Sequence, residues 1–218
     1  NIVSSNYIDM TLKVLKGVGY NFEIIDNCYK LTSISPIKQK EIDIELDYSN
    51  AANFIVLNAL KGNVDVKGLS KDSLQGDKVI LDIVKDKSPF DVDISNCIDL
   101  GPILFTYAAC LEGNSTIRGI TRLKDKESNR LTSMIEELEK LNASIKEKED
   151  EVTIIGKSSF IGDYTFCSHN DHRIAMALSI LSTMIDGKVT IKNIECVNKS
   201  YPNFFDDLKI AGYEFDIK

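Results

Sequence analysis

The sequence is poor in the residues that bind metals or form disulfides. Only two of its 218 residues are histidines, His169 and His172, and its five cysteines are scattered without a C-x-x-C pair. A zinc site needs histidine, cysteine or carboxylate ligands at short spacings, and an odd set of scattered cysteines does not make a disulfide framework. We therefore expect no metal, no cofactor, reduced thiols and a cytoplasmic location.

Long apolar runs and nucleotide-binding motifs are also absent. No run approaches the roughly 18 residues that span a membrane, and the opening residues lack the pattern of a secretory signal. There is no G-x-G-x-x-G, no P-loop and no recognisable Ser/His/Asp arrangement. The net charge of -7 and the pI near 5.0 argue against broad binding to nucleic acid or membrane surfaces.

What the sequence does contain is one pattern that occurs three times. Each copy has an acidic residue, an apolar helix, a glycine turn and a strand, followed by a polar loop and a more amphipathic helix. The copies are Asp47 with helix 50–60 and strand 64–67, Asp99 with helix 102–111 and strand 115–120, and Asp171 with helix 172–184 and strand 189–194. The second helices are predicted at 74–84, 128–141 and 203–210, with further strands at 90–94, 143–146, 152–155 and 213–217. We interpret the copies as βαβαββ units around shared buried helices, an α/β fold.

The first 46 residues resemble the end of another copy. A helix is predicted at 7–16, strands at 21–25 and 29–33, and a β-like run at 41–46. The segment "LKGVGYNFEI" resembles "LEKLNASIKE" and "LKIAGYEFDI", each of which ends a helix and starts a strand. We therefore expect the chain to be part of a longer protein, with a domain boundary near residues 44–46.

Charged side chains concentrate where these units turn. The stretch 122–130 carries four cations and two carboxylates at the start of a predicted helix, with Lys126 and Arg130 on one helical face. Helix N-termini favour anions, and the corresponding loops of the other copies add Arg173 and Lys199 as cations. Asp99 and Glu127 could carry protons among these cations. A solvated, salt-bridged first turn, and simple helix capping by each unit's aspartate, remain open alternatives.

Six segments in order carry a resemblance to a known family. They are "SSNYIDMTL", "DYSNAANF", "SLQGD", "KESNRL", "HNDHRIAMAL" and "NKSYPNFFDDL". Together they resemble the enolpyruvyl transferases, above all the 5-enolpyruvylshikimate-3-phosphate (EPSP) synthase family. The resemblance implies two similar domains, each an inside-out α/β barrel of three βαβαββ units. Residues 1–44 would then finish the N-terminal domain, and 45–218 would form the C-terminal domain.

The resemblance also implies an activity. Members join phosphoenolpyruvate to the 5-hydroxyl of shikimate 3-phosphate and release phosphate, in aromatic amino acid biosynthesis, with no metal required. Because the match covers only the C-terminal half of the family's length, we expect this chain to be inactive without the N-terminal domain. Matched onto the motifs, Asp99 would accept a proton and hold the shikimate hydroxyls. Lys126 would contact the reacting hydroxyl, and Glu127 would help to protonate the methylene carbon.

The substrate-binding residues are carried over in the same way. Arg130 and Arg173 match the arginines that bind the phosphoenolpyruvate carboxylate. Lys199 matches the lysine at its phosphate, and Ser4 matches a serine at the shikimate phosphate. The chain has Asn129 where the family often has aspartate, and Arg122 lies in a longer basic segment than in some members.

Two other functions remain open. The sister transferase that acts on UDP-N-acetylglucosamine shares the fold, but the run Asp-His-Arg-Ile-Ala-Met-Ala favours the shikimate enzyme. A non-catalytic anion-binding half-protein would need the cations but not two proton carriers, and the presence of both Asp99 and Glu127 argues against it.

Overall fold

The computed structural model describes residues 5–26, 28–36, 41–62 and 64–217. It begins with helix α1, Ser5–Gly17, followed by the antiparallel hairpin of β1, Tyr20–Ile25, and β2, Cys28–Ile34. No residue of α1 is buried, and every residue of β2 is exposed. The predicted helix and both strands are confirmed. Residues 41–46 form no strand.

The rest of the described chain follows the repeated pattern. Its helices are α2 Tyr48–Lys61, α3 Ile80–Ile83, α4 Gly101–Ala109, α5 Arg130–Glu139, α6 His172–Ser182 and α7 Phe204–Ile210. Its strands are β3 Asp91–Asp93, β4 Gly113–Arg118, β5 Ser144–Glu147, β6 Glu151–Gly156, β7 Phe160–Ile161, β8 Tyr164–Cys167, β9 Ile185–Asp186 and β10 Val189–Lys192. The predicted first helix of each copy is present, with its ends within a few residues of those expected.

The first helices of the three units form the core of this part of the chain. All nine residues of α4 are buried, as are nine of the eleven residues of α6. A helix that is apolar on every side can only be stable when it is surrounded by protein. The buried hydroxyl of Thr106 on α4 donates to the carbonyl of Ala177 on α6 at 3.2 Å, which satisfies a polar group at their contact.

One four-stranded sheet covers the second unit, in the order β3-β4-β6-β5. β3 and β4 are parallel, β6 is antiparallel to β4, and β5 is antiparallel to β6. The sheet packs closely on α4 at Gly156, where an added Cβ would lie 2.1 Å from the carbonyl oxygen of Ala108. Only glycine allows the end of β6 to approach the helix so closely.

Two pairs of parallel strands, β8 with β10 and β7 with β9, belong to the third unit. The strands predicted at 64–67 and 213–217 are wrong, because both segments have irregular backbone. Their alternating side chains fit a half-buried surface, but a strand also needs a partner for its backbone groups. Within the described residues neither segment pairs with another strand.

Candidate active site

Four loops that precede helices carry the charged side chains to one place. Asp99 lies in a 3-10 helix, Ile98–Leu100, directly before α4. Lys126 follows a second 3-10 helix, and Arg130 is the first residue of α5. Arg173 lies in the first turn of α6, and Lys199 ends a third 3-10 helix, Ile194–Lys199. The repeated architecture therefore brings the predicted cations into contact with the predicted proton carriers.

Arg130 is the centre of this cluster and is only 1% exposed. Its Nε donates to Asp171 Oδ2 at 2.7 Å, and its Nη1 donates to Asp99 Oδ1 at 2.8 Å. Its Nη2 donates to Glu127 Oε2 at 2.6 Å and to Asp171 Oδ1 at 3.3 Å. A buried guanidinium is stable only when its charge and donors are matched. Three carboxylates from three loops supply that match.

Asp99 accepts from three cations. Besides Arg130, Lys126 Nζ lies 3.3 Å from Oδ1, and Arg173 Nη2 donates to Oδ2 at 3.3 Å. Burial opposes ionisation of this carboxyl, but the charges of Arg173, Lys126 and Arg130 hold its pKa below the ordinary value. The capping alternative is wrong for Asp99, since α4 has no side-chain cap and its N-cap residue is Leu100.

Glu127 connects the buried arginine to the exposed rim of the cluster. Its Oε1 accepts from Lys199 Nζ at 2.6 Å, while its Oε2 accepts from Arg130. Partial burial would raise its pKa, but the hydrogen bond from Lys199 and the charges of Arg130 and Lys199 lower it to about 2. Glu127 is therefore ionised at neutral pH in this state, and its proton-donor role would require these contacts to change.

Asp171 combines the capping role with a second one. Its Oδ1 accepts from the backbone N–H of Arg173 at 2.9 Å, so it is the N-cap of α6 as the alternative reading predicts. The same carboxylate, which is fully buried, binds Arg130 through both oxygens. This second role was not predicted, and no local sequence signal distinguishes it from capping alone.

The loop before α6 has an unusual backbone and its own support. His169 and Asn170 both have positive φ, 53° and 57°, which side-chain-bearing residues rarely adopt. Glu137 on α5 is 2% exposed and holds this loop by accepting from the N–H of Cys167 at 3.0 Å and by pairing with His169 Nε2 at 2.9 Å. The loop that carries Asp171 and Arg173 is thus tied to the same helix that carries Arg130.

His172 faces the cluster with an unused ring nitrogen. It is 5% exposed, and its Nδ1 has no hydrogen-bond partner among the described residues. Burial and the neighbouring Arg173 lower the pKa of its imidazole. His172 was considered in the sequence only as a metal ligand. Among the described residues, no three histidine, cysteine or carboxylate side chains are grouped so that they could hold a metal ion.

One expectation about the stretch 122–130 is wrong. Lys126 and Arg130 do not share a helical face, because Lys126 is extended (φ -115°, ψ -162°) and α5 begins only at Arg130. Both side chains nevertheless meet at Asp99. Lys124 lies 3.8 Å from Glu147 on β5 instead of joining the cluster. Ser4 lies outside the described residues, so its role stays a prediction.

Asp77 is a further buried carboxylate, to which the sequence analysis assigned no role. It lies in the "SLQGD" segment, is 4% exposed and accepts from the hydroxyl of Ser49. Burial raises its pKa to about 6, although Arg173 and the Ser49 hydroxyl act in the opposite direction. The hydrogen bond from Ser49 connects Asp77 to the first turn of α2.

The fold and the charged cluster together define an enolpyruvyl-transferase-like protein. An EPSP synthase structure from Acinetobacter baumannii superposes with a TM-score of 0.80 at 25% identity, covering 92% of this chain and 54% of that one. The enolpyruvyl transferase NikO from Streptomyces tendae has a TM-score of 0.68 at 14% identity, covering 95% of this chain and 53% of that one, which supports the fold alone.

Sequence comparisons identify the family. The family model for EPSP synthase (3-phosphoshikimate 1-carboxyvinyltransferase) matches residues 1–208. Curated relatives named 3-phosphoshikimate 1-carboxyvinyltransferase are 42% identical in Clostridium acetobutylicum and 37% identical in Clostridioides difficile, over 97% and 98% of this chain. The chain belongs to the EPSP synthase family. It spans about half the length of these relatives, 53% in both cases.

Within the described ranges, no helix combines the length and apolar character needed to cross a membrane.

Proposed function

We propose that this chain supplies one half of an active site that transfers the enolpyruvyl group of phosphoenolpyruvate to the 5-hydroxyl of shikimate 3-phosphate. The observation that carries the proposal is the cluster around Arg130. In it, two possible proton carriers, Asp99 and Glu127, contact the cations Lys126 and Lys199. Proton transfer at carbon and oxygen needs positioned carboxyl groups, and anionic substrates need fixed cations.

Each side chain has a place in this scheme. Asp99 would take the proton of the substrate hydroxyl, with Lys126 beside it, and Glu127 would deliver a proton to the methylene carbon. Arg173, whose guanidinium donates to Asp99 Oδ2 at 3.3 Å, would bind the phosphoenolpyruvate carboxylate. Lys199, whose side chain is 59% exposed, would bind the phosphate.

The role of Arg130 is more constrained. Four of its five N–H donors are used by carboxylates. It can bind a substrate carboxylate through the remaining N–H, or by exchanging one of its present partners. In either case it also fixes the orientation of Asp99 and Glu127, so loss of Arg130 would affect positioning as well as binding.

The charge of the cluster supports a need for a second half. Its four cations, Lys126, Arg130, Arg173 and Lys199, are opposed by three carboxylates, which leaves one net positive charge. Phosphoenolpyruvate and shikimate 3-phosphate carry several negative charges between them. Anions in a site shielded from water need matching cations. We propose that the polypeptide corresponding to the other half of the relatives' length contributes the additional cations.

The domain division belongs to the same proposal. Residues 1–44 would complete the partner domain, and 45–218 would form a domain of three units. The support is the burial pattern, since α1 and β2 contain no buried residue, whereas α2, α4 and α6 are largely buried. A reducing cytoplasm is proposed from the cysteines, all of which are free thiols.

Phosphate release from phosphoenolpyruvate tests the function. The chain is assayed alone and after mixing with the half of the C. acetobutylicum relative that it does not match, with shikimate 3-phosphate or UDP-N-acetylglucosamine as acceptor. We expect activity only in the mixture and only with shikimate 3-phosphate. Normal turnover by the chain alone would refute the need for a partner, and preference for the sugar nucleotide would refute the substrate.

An Asp99→Asn variant tests the site in the active mixture. Loss of a general base is expected to lower kcat by about 10²–10⁴-fold. Glu147→Gln is the matched control, because Glu147 also faces a lysine but lies outside the cluster. Full activity of the Asp99 variant would overturn its assignment. If the unsubstituted mixture releases no phosphate with either acceptor, although circular dichroism shows that the chain is folded, the non-catalytic anion-binding function is favoured instead.

A further inference from the structure

The first unit is shorter than the second at one place. In the second unit, residues 140–159 follow α5 and contain the hairpin of β5 and β6, whose strand β6 pairs with β4. In the first unit, α3 ends at Ile83 and β3 begins at Asp91, so only residues 84–90 lie between them. These residues are turns and irregular backbone. The first unit therefore lacks the hairpin that completes the sheet of the second.

A groove of about 270 Å³ lies where that hairpin would pack. In the second unit, β6 lies beside β4 and against the buried helix α4. The corresponding elements of the first unit are the segment 64–69 and the buried helix α2, and the groove is bounded by both of them and by α3. Its lining is largely apolar and includes Ile55, Ala59, Val64, Val66, Leu81 and Val84.

The segment beside the groove has the features of an open sheet edge. Val64 and Val66 are half-buried, whereas Asp65 and Lys67 are exposed, which is the alternation of a strand with one covered face. Within the described part of the chain, the backbone groups of residues 65–69 form no hydrogen bond to another backbone group. Backbone groups left open in this way are a template for a further strand.

The charges of this segment are complementary to a second copy of the same segment. Asp65 Oδ2 lies 3.5 Å from Lys67 Nζ, and their side chains are 78% and 83% exposed. When two copies pair antiparallel about Val66, Asp65 of each copy lies directly opposite Lys67 of the other. Opposite charges at such positions stabilise a strand pair, and like charges destabilise it. A charged edge normally prevents pairing, but this one matches itself.

We propose that the edge at residues 64–68 pairs with the same edge of a second copy of this chain, antiparallel and two-fold symmetric about Val66. Such a contact uses the same surface on both copies, so it closes as a dimer. The apolar groove beside the edge, with Leu81 41% exposed, would be covered by the second copy. The dimer does not depend on the proposed function, because no lining residue of the groove belongs to the charged cluster.

Sedimentation equilibrium of the chain tests the dimer. A strand pair of this length buries less than the roughly 1,200–2,000 Å² of a stable interface, so we expect weak association. The average mass should rise from 24.4 kDa toward twice that value as the concentration increases. The amides of residues 65–67 should exchange more slowly over the same range, because pairing adds backbone hydrogen bonds.

Charge reversal tests the pairing register. Asp65→Lys and Lys67→Asp each place like charges opposite one another, and each should weaken association at least about tenfold. A mixture of these two variants restores opposite charges at both positions and should associate again. Glu149→Lys is the matched control, because it makes the same change of charge at an exposed residue between β5 and β6. It should associate like the unsubstituted chain.

Four outcomes would overturn the dimer. The first is a mass of 24.4 kDa at every concentration. The second is association that neither single charge reversal weakens, which would assign it to another surface. The third is failure of the two variants to associate when mixed. The fourth is slower exchange at residues 65–67 only after addition of the half of the C. acetobutylicum relative that this chain does not match, with the mass of a one-to-one complex, which would assign the edge to that polypeptide.

Discussion

Replacement of Asp171 by asparagine should separate its two roles. Asparagine caps helices about as well as aspartate, so the bond to the N–H of Arg173 can be kept. The charge opposite Arg130 is lost, and the new amide group turns a donor toward groups that already donate. Oδ1 accepts from Arg173 and Arg130, and Oδ2 accepts from Arg130 and Ser128, so neither oxygen can be replaced without conflict.

The size of the effect follows from burial. Removal of one partner of a buried ion pair costs about 3–5 kcal/mol, since the other charge is left unmatched. Arg130 keeps Asp99 and Glu127 as partners, so we expect the lower end, a loss of about 3 kcal/mol in the free energy of unfolding. Urea unfolding followed by circular dichroism measures this loss, with the denaturant slope as the check that the unfolding transition itself is unchanged.

Asp47→Asn is the matched control. Asp47 caps α2 through the same bond, accepting from the N–H of Ser49 at 2.8 Å, but it is exposed. We expect its substitution to change the free energy of unfolding by less than about 0.5 kcal/mol. If the Asp171 and Asp47 variants lose the same amount, the carboxylate of Asp171 contributes only as a cap, and the account of the buried cluster is wrong.

Three further predictions follow from single sites. Asp77→Asn should increase the free energy of unfolding at pH 8 by up to about 3 kcal/mol, because the raised pKa means that the buried carboxylate destabilises the fold once it ionises above about pH 6. This gain should vanish near pH 4, and a gain that does not vary with pH would contradict the explanation. Glu137→Gln should lower the free energy of unfolding by about 1–3 kcal/mol, because it weakens the hydrogen bonds that hold the loop before α6. Glu136→Gln, at a side chain that is 55% exposed, should be nearly neutral, and equal effects of the two substitutions would show that Glu137 does not hold the loop. Gly156→Ala should lower the midpoint of thermal unfolding, since overpacking costs about 1–3 kcal/mol, whereas Gly17→Ala should not, because the space around its Cβ position is open. An unchanged midpoint for Gly156→Ala would show that β6 can move away from α4.

The sequence predicted the helices better than the strands. The helices of the three units were found because apolar residues on every side, or on one stripe, have an unambiguous helical period. The segments at 64–67 and 213–217 have an equally regular alternation but form no strand. Whether an alternating segment pairs depends on which backbone edge lies next to it, and that edge comes from a distant part of the chain.

The candidate site was predicted by residue type but not by arrangement. Lys126, Arg130, Arg173 and Lys199 were identified as cations of one site, and the structure places them around Asp99 and Glu127. Their catalytic and binding roles stay predictions. That Arg130 is buried under three carboxylates could not be foreseen, because it depends on the depth of the first turn of α5 relative to the loops before α4 and α6.

The repeat, the buried helices, the family and the charged residues at the unit ends could all be predicted from the amino-acid sequence. These depend on local periodicity and on motifs that lie within a few residues of one another. Which carboxylate neutralises which cation, and which strands pair, became visible only in the folded chain. Charge matching in a buried site and strand pairing are both set by contacts between residues far apart in the chain, and no local pattern records them.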